Sequence, residues 1–316
     1  MNDGPLVSII MNCYNGEEYL REAINSVYAQ TYDNWEIIFW DNASTDSSAK
    51  IAKSYDEKLK YFKAEKNTCL GEARVHAVNQ AQGEYLEFLD CDDILLPEKT
   101  QRQVQQFLIS NNIALVYGRS ISISSEGNKI GENPYGYSQL PSGMVFDEML
   151  YDPFVPFVSI MISTKKYHAV GGFNYRYQHS VDYDIFLKLS YRYEFKAIDQ
   201  CFGKYRQHSK NLSNFVKVVA AIEVIDLISK FLPSEVAKEA LSRGYIRLML
   251  ANIKEKQYKV AYSVFLDKCH TSTVIKYILI KTIKRVILFY RSKILMGHDN
   301  LSMFKNLLKY RHESKK

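Results

Sequence analysis

A repeated change of hydrophobic period across the first ninety residues limits the fold of this chain more than any other feature. Short β-rich runs at residues 6–11, 35–40, 59–62 and 84–89 alternate with helical patterns at 17–29, 45–55 and 71–80. A period near two suits a strand and one near 3.6 suits a helix. A chain that keeps switching between them builds βαβ units on a parallel sheet. Ligands of such sheets bind beyond the carboxyl ends of the strands. The polar segments of the first half all fall there: Asn12-Cys13-Tyr14-Asn15-Gly16, Asp41-Asn42-Ala43-Ser44-Thr45-Asp46 and Asp90-Cys91-Asp92-Asp93.

Beyond residue 113 the pattern is less regular. Residues 114–124 read as one or two strands, 128–143 as a loop rich in Gly, Pro, Tyr and Asn, 159–162 as a short strand and 182–191 as a short helix. From 215 onward the spacing is helical, with Pro233 between two helices. A chain of 316 residues, 47% apolar, can bury a sizeable core as one large domain with an appendage or as two domains.

The formal charge of +6 is unevenly spread. Residues 216–316 hold 20 Lys and Arg against 8 Asp and Glu, a balance of +12, which leaves −6 for residues 1–215. An acidic front half argues against a nucleic-acid reader, and the basic tail suits an anionic surface. The cysteines, Cys13, Cys69, Cys91, Cys201 and Cys269, are scattered without a C-x-x-C pair. That speaks against a disulfide framework or a zinc site and for a reducing compartment. The N-terminus has no basic leader, and no uncharged apolar run approaches the ~20 residues of a spanning helix, so a cytoplasmic location is expected.

Three carboxylates carry the chemistry. Residues two apart on extended backbone point to one side, so Asp90 and Asp92 could face one hard divalent cation and leave positions open for phosphate oxygens. The plain alternative is a solvated acidic turn with Asp93 as a cap. Asp182, in Ser180-Val181-Asp182-Tyr183-Asp184, could take a proton from a hydroxyl, or be only a first-turn helix residue. Asp184 is expected to face its own helix's surroundings. In the Asn12–Gly16 turn the amides and the Tyr14 ring could line a nucleotide pocket. Asp41 or Asn42 could accept a base N–H, while Ser44 or Thr45 caps the next helix and Asp46 meets its positive end.

In order along residues 5–215, six segments resemble the inverting glycosyltransferases of family 2, which have the GT-A fold: 7–15, 41–46, 83–93, Gly171-Gly172-Phe173, 181–184 and Tyr205-Arg206-Gln207-His208. The resemblance implies an α/β protein. A Rossmann-like nucleotide-binding sheet would occupy 1–215, with a donor half at 1–112 and an acceptor half at 113–215, followed by a basic all-helical extension at 216–316. It implies a nucleoside-diphosphate sugar as donor, a hydroxyl of a glycan or lipid-linked glycan as acceptor, and Mn²⁺ or Mg²⁺ at Asp92, with Asp90 near ribose or metal. Asp182 would be the general base, His208 would approach the metal or the diphosphate or be only a surface loop histidine, and Arg74 would contact the donor or form only a surface ion pair. Residues 128–143 and 153–160, with Pro153, Pro156 and Phe157, would shape the acceptor side.

Two positions depart from the family pattern. Asn42 stands where the second acid of its motif is usual, which leaves uridine, thymidine and guanosine donors open. Val181 stands where Glu often precedes the base. A nucleotidyltransferase would need a Gly-rich loop where only Gly16 is present. A non-catalytic carbohydrate-binding or scaffold relative is the alternative of another class, and the joint presence of Asp90, Asp92 and Asp182 speaks against it. In the tail, Ile275, Leu279, Ile283, Val286 and Tyr290 share one helical face, opposite Lys281, Lys284, Arg285 and Arg291, with Lys293 the exception. Such a helix suits peripheral contact with the inner membrane face or packing on neighbouring helices.

Overall fold

The structure is a computed structural model that describes residues 4–132 and 137–268. The amphipathic segment expected at 274–296 and part of the 128–143 loop lie outside the described residues. Residues up to Leu266 form one compact unit.

Among the described residues nine strands form one mixed sheet: β1 (Val7–Cys13), β2 (Trp35–Asp41), β3 (Leu59–Lys63), β4 (Tyr85–Phe88), β5 (Ile94–Leu95), β6 (Ile113–Ile123), β7 (Lys129–Glu132), β8 (Met161–Ser163) and β9 (Glu194–Arg206). Their order is β3-β2-β1-β4-β8-β6-β9-β5, with β7 on β6. The block β3-β2-β1-β4 is parallel, as expected. β8 runs antiparallel between β4 and β6, and β6 pairs with β9 in parallel. The helices are α1 (Leu20–Tyr28), α2 (Ser48–Ala52), α3 (Leu70–Val78), α4 (Lys99–Phe107), α5 (Phe146–Tyr151), α6 (Thr164–Ala169), α7 (Val181–Ser190), α8 (Lys217–Ser229), α9 (Glu235–Lys254) and α10 (Tyr258–Lys268).

Strand alternation feeds two cores, one on each face of the sheet. Val7, Ile9, Met11, Ile37 and Phe39 pack with Leu20, Ile24 and Val27 of α1. Ile10, Ile38, Leu86 and Phe88 pack in the other core, with Ala77 and Val78 of α3 and Ile185 and Phe186 of α7. Leu227 and Ile228 of α8 and Ala237 and Ala240 of α9 join that second core. Helices α8 and α9 are therefore packed onto the sheet's own core. No helix of the described residues is long and apolar enough to cross a membrane.

Several elements differ from expectation. Residues 129–132 form strand β7, because a turn at 124–128, with Gly127 at φ +86°, folds them back antiparallel onto Ile121–Ile123. Helix α2 begins only at Ser48, so Ser44 and Thr45 do not cap it. Ser44 Oγ instead accepts the Asn15 amide at 3.0 Å, and the Thr45 amide donates to Asn15 Oδ1 at 2.8 Å. Asp46 serves both loops, accepting from the Glu17 and Ser48 amides at 3.0 and 2.9 Å. Strand β9, thirteen residues long, was not expected at all; its Lys, Asp and Gln residues hide its apolar face.

Candidate active site

Register brings the first two polar loops together: Cys13 pairs with Asp41 at the ends of β1 and β2. The chain then turns through Asn15 (φ +54°) and Ala43 (φ +64°). A left-handed Ala costs roughly 1 kcal/mol or more, and the loop-to-loop bonds above offset it. The acid loop after β4 meets them where the Cys13 and Cys91 side chains adjoin beside Gly16. Gly16 is wedged against that pair, since an added Cβ would lie 2.6 Å from Cys91 Sγ. The four described cysteines are all free.

Two of the expected base contacts are already engaged. Asp41 is fully buried, with Oδ1 on the Ser44 amide at 2.7 Å and Oδ2 on the Tyr61 hydroxyl at 2.5 Å. Asn42 is bound through both side-chain atoms to Thr68. A base could reach either only by displacing these partners. Asn12 and Tyr14 are better placed to meet a ligand. Asn12 Nδ2 is buried without a partner, as is Trp40 Nε1 beside it in register. The Tyr14 ring is half exposed.

Asp90, Asp92, Arg74 and Asp182 converge. Arg74 of α3 is buried; it donates to Asp90 Oδ1 at 3.2 Å and lies 4.1 Å from the centre of the Phe157 ring. Asp182 is half-buried in the first turn of α7, with Oδ1 on the Tyr183 amide at 2.9 Å. Burial raises its pKa, the Arg74 charge lowers it, and the Asp90 charge adds to the rise. The acid loop and the candidate base therefore lie within electrostatic reach across Arg74. Asp184 faces its own helix, paired with Lys188 at 2.5 Å. Val181 is fully buried against α3: a Cβ added to Gly71 would stand 2.7 Å from its Cγ1 and 2.6 Å from the Tyr177 carbonyl oxygen. This close approach sets α3, with Arg74, beside the start of α7.

His208 lies against Asp92, with Nε2 2.9 Å from Oδ2. Its Nδ1 accepts the Lys210 amide at 3.2 Å, which leaves the Nε2 proton for Asp92. Asn211 also donates to Asp92 Oδ2, at 3.2 Å. Burial and the Asp90 charge raise the Asp92 pKa, and His208 opposes them. His208 and Asn211 also line an open recess of about 430 Å³ together with Tyr205, Gln207, Ser213 and Asn214.

For a divalent ion the donor chemistry fits. Asp92 Oδ1 and Asp90 Oδ2 accept no hydrogen bond from another side chain among the described residues. The two carboxylates repel one another, so a cation between them would be stabilised. Among the described residues no three His, Cys, Asp or Glu side chains form a cage made by protein alone. Mg²⁺-type sites use one or two carboxylates and take the rest of their shell from water and phosphate.

Sequence reasoning missed Arg206 and Asn211. Arg206 is almost wholly buried. Its amide donates to Asp93 Oδ1 at 2.9 Å, its Nε to the Asp92 carbonyl at 2.9 Å, Nη1 to the Ser125 carbonyl at 3.0 Å and Nη2 to Glu22 at 2.5 Å, and its guanidinium lies over Tyr19. One side chain thus ties the acid loop to α1 and to the β6–β7 turn. Its position two residues before His208 was visible in the sequence; its burial was not. Arg206→Ala is expected to lower the unfolding free energy by about 2–4 kcal/mol, because removing this buried side chain leaves a cavity and its partly buried acceptors lose their donor together. Urea unfolding at unchanged m-value checks this.

An uncharacterized glycosyltransferase of Rickettsia conorii is 35% identical over 196 residues, 58% of this chain and 31% of its own length. Chondroitin synthase of Escherichia coli is 29% identical over 272 residues, 85% of this chain and 36% of its own length. The chain thus spans about a third of the length of these curated relatives. A mannosyltransferase from Pyrobaculum calidifontis, solved with GDP-Man and Mn²⁺, superposes with a TM-score of 0.61 over 93% of this chain and 84% of that one. At 16% identity that likeness is one of fold, and it identifies the sheet as GT-A. The sequence profile of glycosyl transferase family 2 matches residues 8–171, more than half of the chain, and on that match the chain belongs to glycosyl transferase family 2.

Proposed function

We propose that this chain transfers a sugar from a nucleoside-diphosphate sugar to a hydroxyl of a glycan or lipid-linked glycan, with inversion at C1. Asp182 acts as general base, and Asp92 with Asp90 holds Mn²⁺ or Mg²⁺, while His208 stands beside the ion as the hydrogen-bond partner of Asp92 and not as a third ligand. The observation that carries this reading is buried Arg74, which bonds Asp90 of the acid loop and stands near enough to Asp182 for its charge to act there. An inverting transfer needs its proton acceptor on the face of the sugar opposite the leaving group, so two separated carboxylate positions are required.

The acceptor oxygen forms the new bond to C1 and its proton passes to Asp182, while the C1–O bond to the diphosphate breaks and its electron pair leaves with the diphosphate. A divalent cation at Asp92 would stabilise that developing negative charge. Arg74 holds Asp90 in place and adds positive charge beside the diphosphate. Asn12 Nδ2 and the Tyr14 ring serve the nucleoside, and Asp41 shapes their pocket through Ser44 and Tyr61. Phe157 borders the acceptor side. Residues 1–215 carry the chemistry in this reading, with 216–316 as the helical extension. Its basic segment at 274–296 would meet an anionic membrane that presents the acceptor. The chondroitin synthase and mannosyltransferase relatives support a polysaccharide product and a nucleotide-sugar donor respectively.

Calorimetry with UDP, GDP and dTDP, each with and without Mn²⁺, tests the reading. One nucleotide is expected to bind, and to do so at least tenfold more tightly with the metal. A panel of UDP-N-acetylglucosamine, UDP-glucuronate, GDP-mannose and dTDP-rhamnose then identifies the donor by its hydrolysis. No binding by any nucleotide under either condition would sink the proposal.

A further inference from the structure

Asp182 accepts no hydrogen bond from another side chain among the described residues; its carboxylate is met by backbone amides of its own helix turn, that of Tyr183 at 2.9 Å. Its position is therefore inherited from the backbone at the start of α7. That backbone is held from two sides. On one side α3 closes against it at Gly71. On the other, the Glu223 carboxylate of α8 accepts three consecutive amides, those of Gln178 at 2.8 Å, His179 at 3.0 Å and Ser180 at 2.8 Å. Ser180 Oγ also donates to the Ala220 carbonyl of α8 at 3.3 Å, and the Tyr177 hydroxyl donates to Asp226 at 2.6 Å.

We propose that Glu223 is a positioning residue for the transfer reaction, gripping the amides of residues 178–180 so that the first turn of α7 presents Asp182 to the acceptor. The gripped amides are those of the N-cap of α7, Ser180, and of the two residues before it, and a carboxylate beside a helix start is favoured by hydrogen bonding and the helix dipole. Here the carboxylate comes from a different helix, so it orients as well as caps. Glu223 lies beyond the family match at 8–171 and inside the C-terminal helical region. That region thereby becomes part of how the base is placed. This inference rests on Asp182 being the base.

The test uses the full chain and the donor selected by the panel above. Loss of orientation by an ångström is enough to cost up to about 10²-fold in rate. Glu223→Ala is expected to lower kcat by about 10- to 100-fold with donor KM within twofold of the wild type, and to raise amide exchange at residues 178–180. Glu223→Gln keeps one acceptor oxygen and is expected to fall between the two; it carries the test alone where the alanine variant does not fold. Leu227→Ala loosens the same helix without touching the grip, and should lower Tm while keeping kcat. In an Asp182→Asn background, Glu223→Ala should add no further loss.

Wild-type kcat in both Glu223 variants, with Asp182→Asn inactive, overturns the Glu223 role and leaves the base intact. An equal kcat loss in Leu227→Ala also overturns it, reducing Glu223 to general stability. Full activity of Asp182→Asn is a different result, and removes the base itself.

Discussion

Asp182→Asn lowers kcat by about 10²–10⁴-fold, the span a positioned general base supplies, while nucleotide affinity measured by calorimetry stays within twofold. The substitution is isosteric, and its amide oxygen can still accept the Tyr183 amide, so the start of α7 keeps its shape. What disappears is a group able to take the hydroxyl proton. The pH profile gives an independent reading. Burial raises the Asp182 pKa despite the Arg74 charge, and the base works only when ionised. The acid limb of kcat is therefore expected above the ordinary aspartate range, with activity lost as pH falls through the raised pKa. Removing the Arg74 charge with Arg74→Met should shift that limb further toward higher pH, since the one lowering charge is gone. Wild-type turnover in Asp182→Asn would refute the base assignment.

The second large effect is expected at Asp92. Asp92→Asn should abolish the Mn²⁺-dependent part of nucleotide binding and lower kcat/KM by about 10³-fold, roughly 4 kcal/mol of leaving-group stabilisation. Asp92 is a sharper target than Asp90. Its Oδ2 already gathers His208 and Asn211, whereas Asp90 is partly neutralised by Arg74. The amide can keep a contact with His208 but removes the negative charge that the cation requires. Equal Mn²⁺ enhancement in the wild type and Asp92→Asn would show that the ion is held elsewhere.

The front half of this protein was legible because its information is local. Strands β1, β2 and β4 are largely buried on both faces, so they read as mostly apolar runs, and each is followed directly by the polar turn it delivers. The acid loop could be picked out in that way, and the α/β sheet followed from the alternation alone, whereas the roles of Asp182 and His208 rested on the resemblance of their segments to the family. Strand β9 could not be read, because its residues are mixed in polarity and it becomes a strand by pairing with β6. The same holds for β7, whose segment reads as a loop until β6 lies beside it.

Residue order alone thus settled which chemistry-bearing groups the chain possesses and which strand ends carry them, since both depend on neighbours a few positions away. Tertiary packing decided which of those groups share a cleft. It turned Asp41 and Asn42 inward onto Tyr61 and Thr68, buried Arg206 beneath the acid loop, and brought Glu223 from α8 to the amides ahead of Asp182. Contacts between residues tens to more than a hundred positions apart depend on how sheets and helices close on one another, and no period or spacing in a single chain encodes that distance.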